Sequence, residues 1–320
     1  MQGTLPDNTP ASLRLSATLH PPATGSERDG LLYMVMRLVQ GVGVLYGLIF
    51  IGGMIAAGGS LPVWFEWANG AYMILGGTTA LLWYAGRYGN RQTLFLFVIS
   101  ASVSYAADWI SSHSGRLFGE GGSGLSLTPL VFGVPMALPF AWCMLLIIAK
   151  AFAPVRSPRQ AWQGLSLTEF ESPGKERLLR SRKWRRRRSF WLPGLWGAAL
   201  ITSVHLLLSP VSVNYSNGNG RAAAGPDSMA DLYEIPLGRF FCWWAMALVI
   251  INFINYLHDE YFAETDSRFG DSKLIPAMLL LTLEAFFLTL AVRSELWWPA
   301  ALNVLLLGIL YLWKRSEEKG

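Results

Sequence analysis

Charged residues are scarce in this chain: Asp, Glu, Lys and Arg make up 15% of its 320 residues, against about 25% in a soluble globular domain. With 52% hydrophobic residues, 14 Trp and several apolar runs of roughly 20 residues, the shortage excludes an ordinary water-soluble domain and indicates a polytopic helical membrane protein. Cysteine is almost absent too. Cys143 and Cys242 both lie in apolar runs, where they form neither a disulfide framework nor a metal spacing and read as small buried hydrophobes. No phosphate loop, zinc-spaced cluster or nucleophile elbow is present; Gly52-Gly53 and Gly58-Gly59 read as packing and turn glycines. The apolar core of a cleavable signal is also missing, because Met1–Asp29 is polar and rich in Pro, Ser and Thr. That composition predicts a disordered arm.

What is present is a series of apolar runs. Eight candidate spans follow: Leu31–Gly58, Leu61–Tyr84, Thr93–Ile110, Leu130–Phe152, Trp191–Val213, Arg239–Leu257, Leu274–Val292 and Leu296–Trp313. Between the fourth and fifth, Ala153–Ser189 carries eleven Lys and Arg against Glu169, Glu171 and Glu176. The net charge of +5 is therefore concentrated in one connection, which speaks for membrane orientation and against nucleic acid. The positive-inside rule places this connection in the cytoplasm, together with Arg87 and Arg91 and with Lys314 and Arg315. The expected organisation is a polar arm (1–30), spans one to four (31–152), a basic cytoplasmic loop (153–190), spans five to eight (191–313) and a cytoplasmic tail (314–320). The predicted fold is an all-α transmembrane bundle, N-in and C-in, in a bacterial inner membrane, cytoplasmic or intracytoplasmic. The basic loop is expected to meet anionic lipid or an acidic protein surface.

In this topology Asp108, Ser209 and the connections that follow them fall at the outer side. Spans three–four and five–six also look like a weak parallel repeat: VPMALPFAWCM (Val134–Met144) and IPLGRFFCWWAM (Ile235–Met246) share the spacing from Pro135 to Trp142 and from Pro236 to Trp243. Repeats of this kind commonly frame a site between them in membrane proteins. An ionisable residue inside an apolar segment marks a functional site by default, which singles out Asp108. His205 has two readings, an interhelical hydrogen-bonder or a ligand to chlorophyll magnesium or haem iron. Glu284 needs protonation or a partner, for which Arg37 is one candidate. Asn252, Asn255 and Asn303 read as interhelical polar contacts.

Gly115, Phe118, Gly119, Gly133, Val134, Pro135 and Trp142 form one pattern of spaced Gly, Pro and aromatic residues, and Pro210, Tyr233, Ile235, Pro236, Leu237, Phe240 and Trp243 form a second. In this register the chain resembles the integral-membrane carotenoid hydratases, which add water to the terminal double bond of acyclic polyenes. The resemblance covers roughly residues 95–257. Several positions depart from it: the family's Glu is Asp108 here, its two Tyr are Gly121 and Ser123, its Asp is Ser209, its Gly is Glu234 and its Asn is Arg239. The resemblance implies Asp108 as the acid, with Tyr233 and Trp142 near the cation, and Phe118, Pro135, Arg239 and Trp243 against the ligand.

Alkene hydration needs a protonated acid, a stabilised tertiary cation and a positioned water. Aspartate is one methylene shorter than glutamate, and a misplacement of about 1 Å can cost on the order of 100-fold. An arginine beside it would make it a poorer acid, and Ser209 offers no second carboxylate. The expectation is a catalytically degenerate relative, a structural or pigment-associated subunit of a photosynthetic membrane complex. Such a subunit requires no cofactor, and carotenoid or (bacterio)chlorophyll are its candidate pigments. The alternatives are an active carotenoid 1,2-hydratase with Asp108 as acid, and a small-molecule transporter.

Overall fold

The computed structural model describes residues 25–56, 67–114, 129–154, 175–216, 231–232, 235–261 and 272–319. Among these, eight helices and two minimal hairpins follow one another along the chain. They are α1 (Gly25–Ala56), α2 (Trp67–Tyr88), α3 (Asn90–Ser114), β1 (Leu130–Val131), β2 (Val134–Pro135), α4 (Leu138–Phe152), α5 (Lys175–Ser216), β3 (Asp231–Leu232), β4 (Ile235–Pro236), α6 (Leu237–Tyr261), α7 (Leu274–Arg293) and α8 (Trp297–Lys319). In a bilayer every backbone polar group must be met within the segment, so helices are the form these apolar runs can take.

Six helices hold stretches long and apolar enough to cross a membrane: Tyr33–Ile55, Asn90–Ile110, Trp191–Ser212, Leu237–Leu257, Leu274–Arg293 and Trp297–Ser316. Their outer faces carry exposed large hydrophobics such as Leu48, Ile51, Val249, Leu281 and Leu305. So much exposed apolar surface fits a lipid environment, and the chain is an all-α polytopic bundle.

The other two helices are internal. α4 has 15 residues, about 22 Å at 1.5 Å per residue, and so is shorter than a bilayer core. It can be short because α2, α3, α5 and α7 surround it; Trp142 to Ala149 are all buried. α2 is held against it by small residues. A Cβ on Gly77 would fall on the Phe140 backbone carbonyl, and one on Gly76 would come within 2.7 Å of Met144 Sδ. A helix enclosed by protein needs less hydropathy than one facing lipid, which is why α2 has Gly, Ala and Thr where a lipid-facing span has Leu. On the other side of α4, a Cβ on Gly197 of α5 would meet Ile251 Cδ1 at 2.7 Å and Ala149 Cβ at 3.2 Å. Close approach through small residues is the usual way helices associate in lipid.

Hydrogen bonds tie the remaining helices together. Tyr46 (α1) donates to Tyr72 (α2) at 2.7 Å, and its oxygen lies 2.6 Å from Thr282 Oγ1 (α7). Trp196 Nε1 donates to the Leu310 carbonyl at 3.1 Å, and Asn303 Nδ2 to the Ser203 carbonyl at 2.8 Å, joining α5 to α8.

Several sequence expectations need correcting. The run Leu130–Phe152 is not one span: Phe132 and Gly133 turn the chain with φ of 49° and 81°, so Leu130–Pro135 is a hairpin and the helix starts only at Leu138. The second half of the basic connection 153–190 is helical, because α5 begins at Lys175. Arg37 does not pair with Glu284; it donates to Tyr33 on its own helix at 2.9 and 2.7 Å. Asn252 donates to Leu248 within α6, while its side-chain amide packs across the interface on Gly194 of α5. The arm expected to be disordered lies mostly outside the described residues.

Candidate functional site

Each hairpin ends in a proline and runs straight into a helix. β1 and β2 pair with Leu130 opposite Pro135 and Val131 opposite Val134. β3 and β4 pair with Asp231 opposite Pro236 and Leu232 opposite Ile235. A proline at the end of a strand withholds no ladder hydrogen bond, and Pro139 stands in the first turn of α4, where its missing N–H is not needed. These starts set the phase of α4 and α6, placing Trp142 about one turn and Trp243 nearly two turns into their helices. The two indoles stack at 5.1 Å between centroids, with 27° between planes.

α5 completes the stack. His205 lies on Trp243 at 4.4 Å with only 12° between the rings, and 6.0 Å from Trp142. Neither His205 nitrogen has a hydrogen-bond partner among the described residues. Of its two sequence readings, the hydrogen-bonding one is therefore absent there; the ring contributes its face. Ser209 follows one turn later, also buried.

Asp108 and Arg239 approach from α3 and α6. Both are partly buried, and each lies within electrostatic reach of the other. Arg239 is also within electrostatic reach of His205, and its Nε is buried without a hydrogen-bond partner. No close ion pair forms between them among the described residues, so the contact is one of facing charges. Asp108, Arg239, His205, Trp142 and Trp243 thus gather at the hairpin end of the bundle, where Pro135 is buried at the end of β2. Tyr233 and Phe118 lie outside the described residues.

Beside this cluster α3 and the first hairpin enclose an open groove of about 610 Å³, lined by Ala101, Tyr105, Ala106, Trp109, Phe132 and Pro139. The Tyr105 hydroxyl donates to the Val131 carbonyl and fixes the hairpin to α3. The groove falls within the range of small-molecule sites, about 300–1,000 Å³, and its walls are mainly apolar and aromatic. No cluster of three His, Cys, Asp or Glu suited to a metal exists among the described residues.

Sequence reasoning singled out Trp142, Trp243 and His205 separately and did not pair His205 with Trp243. The shared Pro-to-Trp spacing was the available signal for the two indoles. Nothing comparable pointed to the groove, because its residues are ordinary lipid-facing types until the hairpin closes over them.

The fold and this cluster define a polytopic helical membrane protein with an aromatic and ionisable site at one end of the bundle and an apolar groove beside it. Residues 68–310, from α2 into α8, match the carotenoid biosynthesis protein family. The chain belongs to that family. No curated protein and no solved structure matches it.

Proposed function

We propose that this protein binds the end of a carotenoid without hydrating it, as an accessory subunit of a pigment-containing bacterial membrane complex. One observation carries the reading: buried Ser209 on α5 stands where the resembled enzymes have a second carboxylate to orient water, and a serine is a weak substitute. Arg239 faces Asp108 from α6 without a close ion pair between them.

The groove and the Trp142–Trp243–His205 stack still suit a polyene. Flat conjugated chains gain from aromatic faces, and the groove is open, with exposed Trp109 and Phe132 in its walls. The eleven Lys and Arg of the 153–190 region support its placement in the cytoplasm. The cluster is then at the opposite side of the membrane, leaving the basic segment for anionic lipid or an acidic neighbouring subunit.

The stack favours a second reading, active hydration with Asp108 as acid, since indole faces also stabilise a cation. A mild-detergent gradient of native membranes, following tagged protein and pigment absorbance, tests the subunit role. Stoichiometric co-migration with a large pigment complex is expected; migration of the protein alone overturns that role.

A further inference from the structure

Glu284 stands near the middle of α7, about 15 Å from either end at 1.5 Å per residue, and is only 7% exposed. Neither of its carboxyl oxygens has a hydrogen-bond partner among the described residues. The turn from α7 to α8 is tight: Ser294 N–H donates to the Leu290 carbonyl and Leu296 N–H to the Ala291 carbonyl, both at 2.9 Å. The two helices therefore form an antiparallel hairpin. Across it, Asn303 is fully buried and within hydrogen-bonding reach of the Glu284 carboxyl. Its Nδ2 is committed to the Ser203 carbonyl of α5 at 2.8 Å. That bond fixes which way the amide points and leaves Oδ1 buried without a partner.

Three buried oxygens thus lie together, all acceptors, with no donor to meet them. A bare carboxylate in such a place is costly unless it is paired. The helices packed against α7 are α1, α2, α4, α5 and α8, and their described cations are engaged elsewhere. Arg37 donates to Tyr33 and Lys150 to Tyr84. Arg87 and Lys314 lie over aromatic rings, and Arg315 is exposed at the end of α8. The Tyr46 and Tyr72 hydroxyls meet each other and Thr282, and His205 lies against Trp243. Hard metal cations take about six or more oxygen ligands, and only three are free here. A proton needs one oxygen to carry it and one to accept it. Placed on Glu284, it removes the charge, makes one carboxyl oxygen a donor and gives Asn303 Oδ1 the hydrogen it lacks. The oxygen left over is a neutral acceptor, which costs far less to bury than a charge.

We infer that Glu284 and Asn303 form a proton-binding site inside the bundle, with Glu284 a neutral carboxylic acid that donates its O–H to Asn303 Oδ1. Ionisable side chains within membrane spans mark proton or ion sites. This one is built on other helices than Asp108 and Arg239, and it does not depend on what the groove binds. Through Asn303 and the Ser203 carbonyl, a single proton joins α7, α8 and α5.

The test uses the full-length protein in nanodiscs at neutral pH. A neutral carboxylic acid has an infrared carbonyl band that a carboxylate lacks. The difference spectrum between the unmutated protein and Glu284→Gln should contain that band. Glutamine keeps the size of the side chain and can itself donate to Asn303, so this variant should fold. Asn303→Leu, which removes the acceptor of the O–H, should shift the band to higher frequency. A covalent probe reads the same proton. Dicyclohexylcarbodiimide, an apolar reagent, adds a carboxylic acid across its N=C bond. The carboxyl oxygen bonds to the central carbon, the acid proton goes to nitrogen, and the adduct rearranges to an N-acylurea with nothing lost. Peptide mass mapping should find Glu284 heavier by one whole reagent, equally in sodium chloride and in choline chloride. Carboxylate bands in place of the acid band overturn the inference, and so does an unmodified Glu284. An acid band that Asn303→Leu leaves unshifted overturns the pairing with Asn303. Protection of Glu284 by sodium overturns the choice of ligand and makes this a metal-cation site.

Discussion

Asp108 and Arg239 show how little one residue's identity says until its neighbours are known. Alone, Asp108 in a hydrophobic helix is a candidate acid; with Arg239 in reach it is one of two facing charges on α3 and α6. Breaking one side of such a pair leaves the other uncompensated, so a double-mutant cycle on Asp108→Asn and Arg239→Gln should be non-additive. A coupling of about 1 kcal/mol is expected in detergent unfolding; additivity would mean that the charges do not support one another. Phe132 makes the opposite case, a residue that strains its own element. It is 84% exposed and takes φ of 49° at the hairpin tip, a left-handed conformation that non-glycine residues adopt at a cost of about 1 kcal/mol or more. Asparagine is far better suited to that position before Gly133. Phe132→Asn should therefore stabilise the protein by about 1 kcal/mol, seen as a rise in Tm, while weakening polyene binding because the ring leaves the groove. Higher stability with unchanged binding would remove Phe132 from the ligand's contacts.

At the scale of elements, hydropathy revealed the number of helices and missed how two of them begin and what surrounds them. A windowed average over Leu130–Phe152 is high throughout, and so reads as one span; Phe132-Gly133 and Pro135 carry the turn in only a few residues. The helical onset at Lys175 was missed for a related reason. Lys, Arg, Leu and Glu are good helix formers, and no Gly or Pro interrupts Lys175–Leu192, but the charge there outweighed that local preference. The burial of α4 was not legible at all, because a core helix and a lipid-facing helix are equally apolar. Only the small residues of α2 hinted at it. Their role gives a direct test: Gly77→Ala places a methyl on the Phe140 carbonyl and should destabilise the bundle by about 1–3 kcal/mol. Gly47→Ala, where a Cβ meets nothing within 4 Å, should be close to neutral. Equal effects would contradict the close α2–α4 contact.

For the whole molecule, the two ends of the bundle differ in chemistry. One end holds the hairpins, the indole stack and the groove. The other gathers cations against aromatic rings: Lys150 donates to the Tyr84 hydroxyl at 3.0 Å, Lys314 lies over Phe152 at 5.3 Å and Arg87 over Trp83 at 5.8 Å. Such a distribution follows the positive-inside rule if the cationic end is cytoplasmic. A green fluorescent reporter fused after Gly320 should then fluoresce, and an alkaline phosphatase fused there should be inactive; the reverse pattern would invert the orientation. Binding without turnover is the central claim, and it is tested most directly by incubating the purified protein in nanodiscs with an acyclic carotene. Fluorescence quenching would be followed together with the mass of the recovered polyene. The account expects quenching with every recovered polyene at its original mass. Accumulation of a product heavier by one water, lost in Asp108→Asn, would contradict it and make Asp108 a working acid.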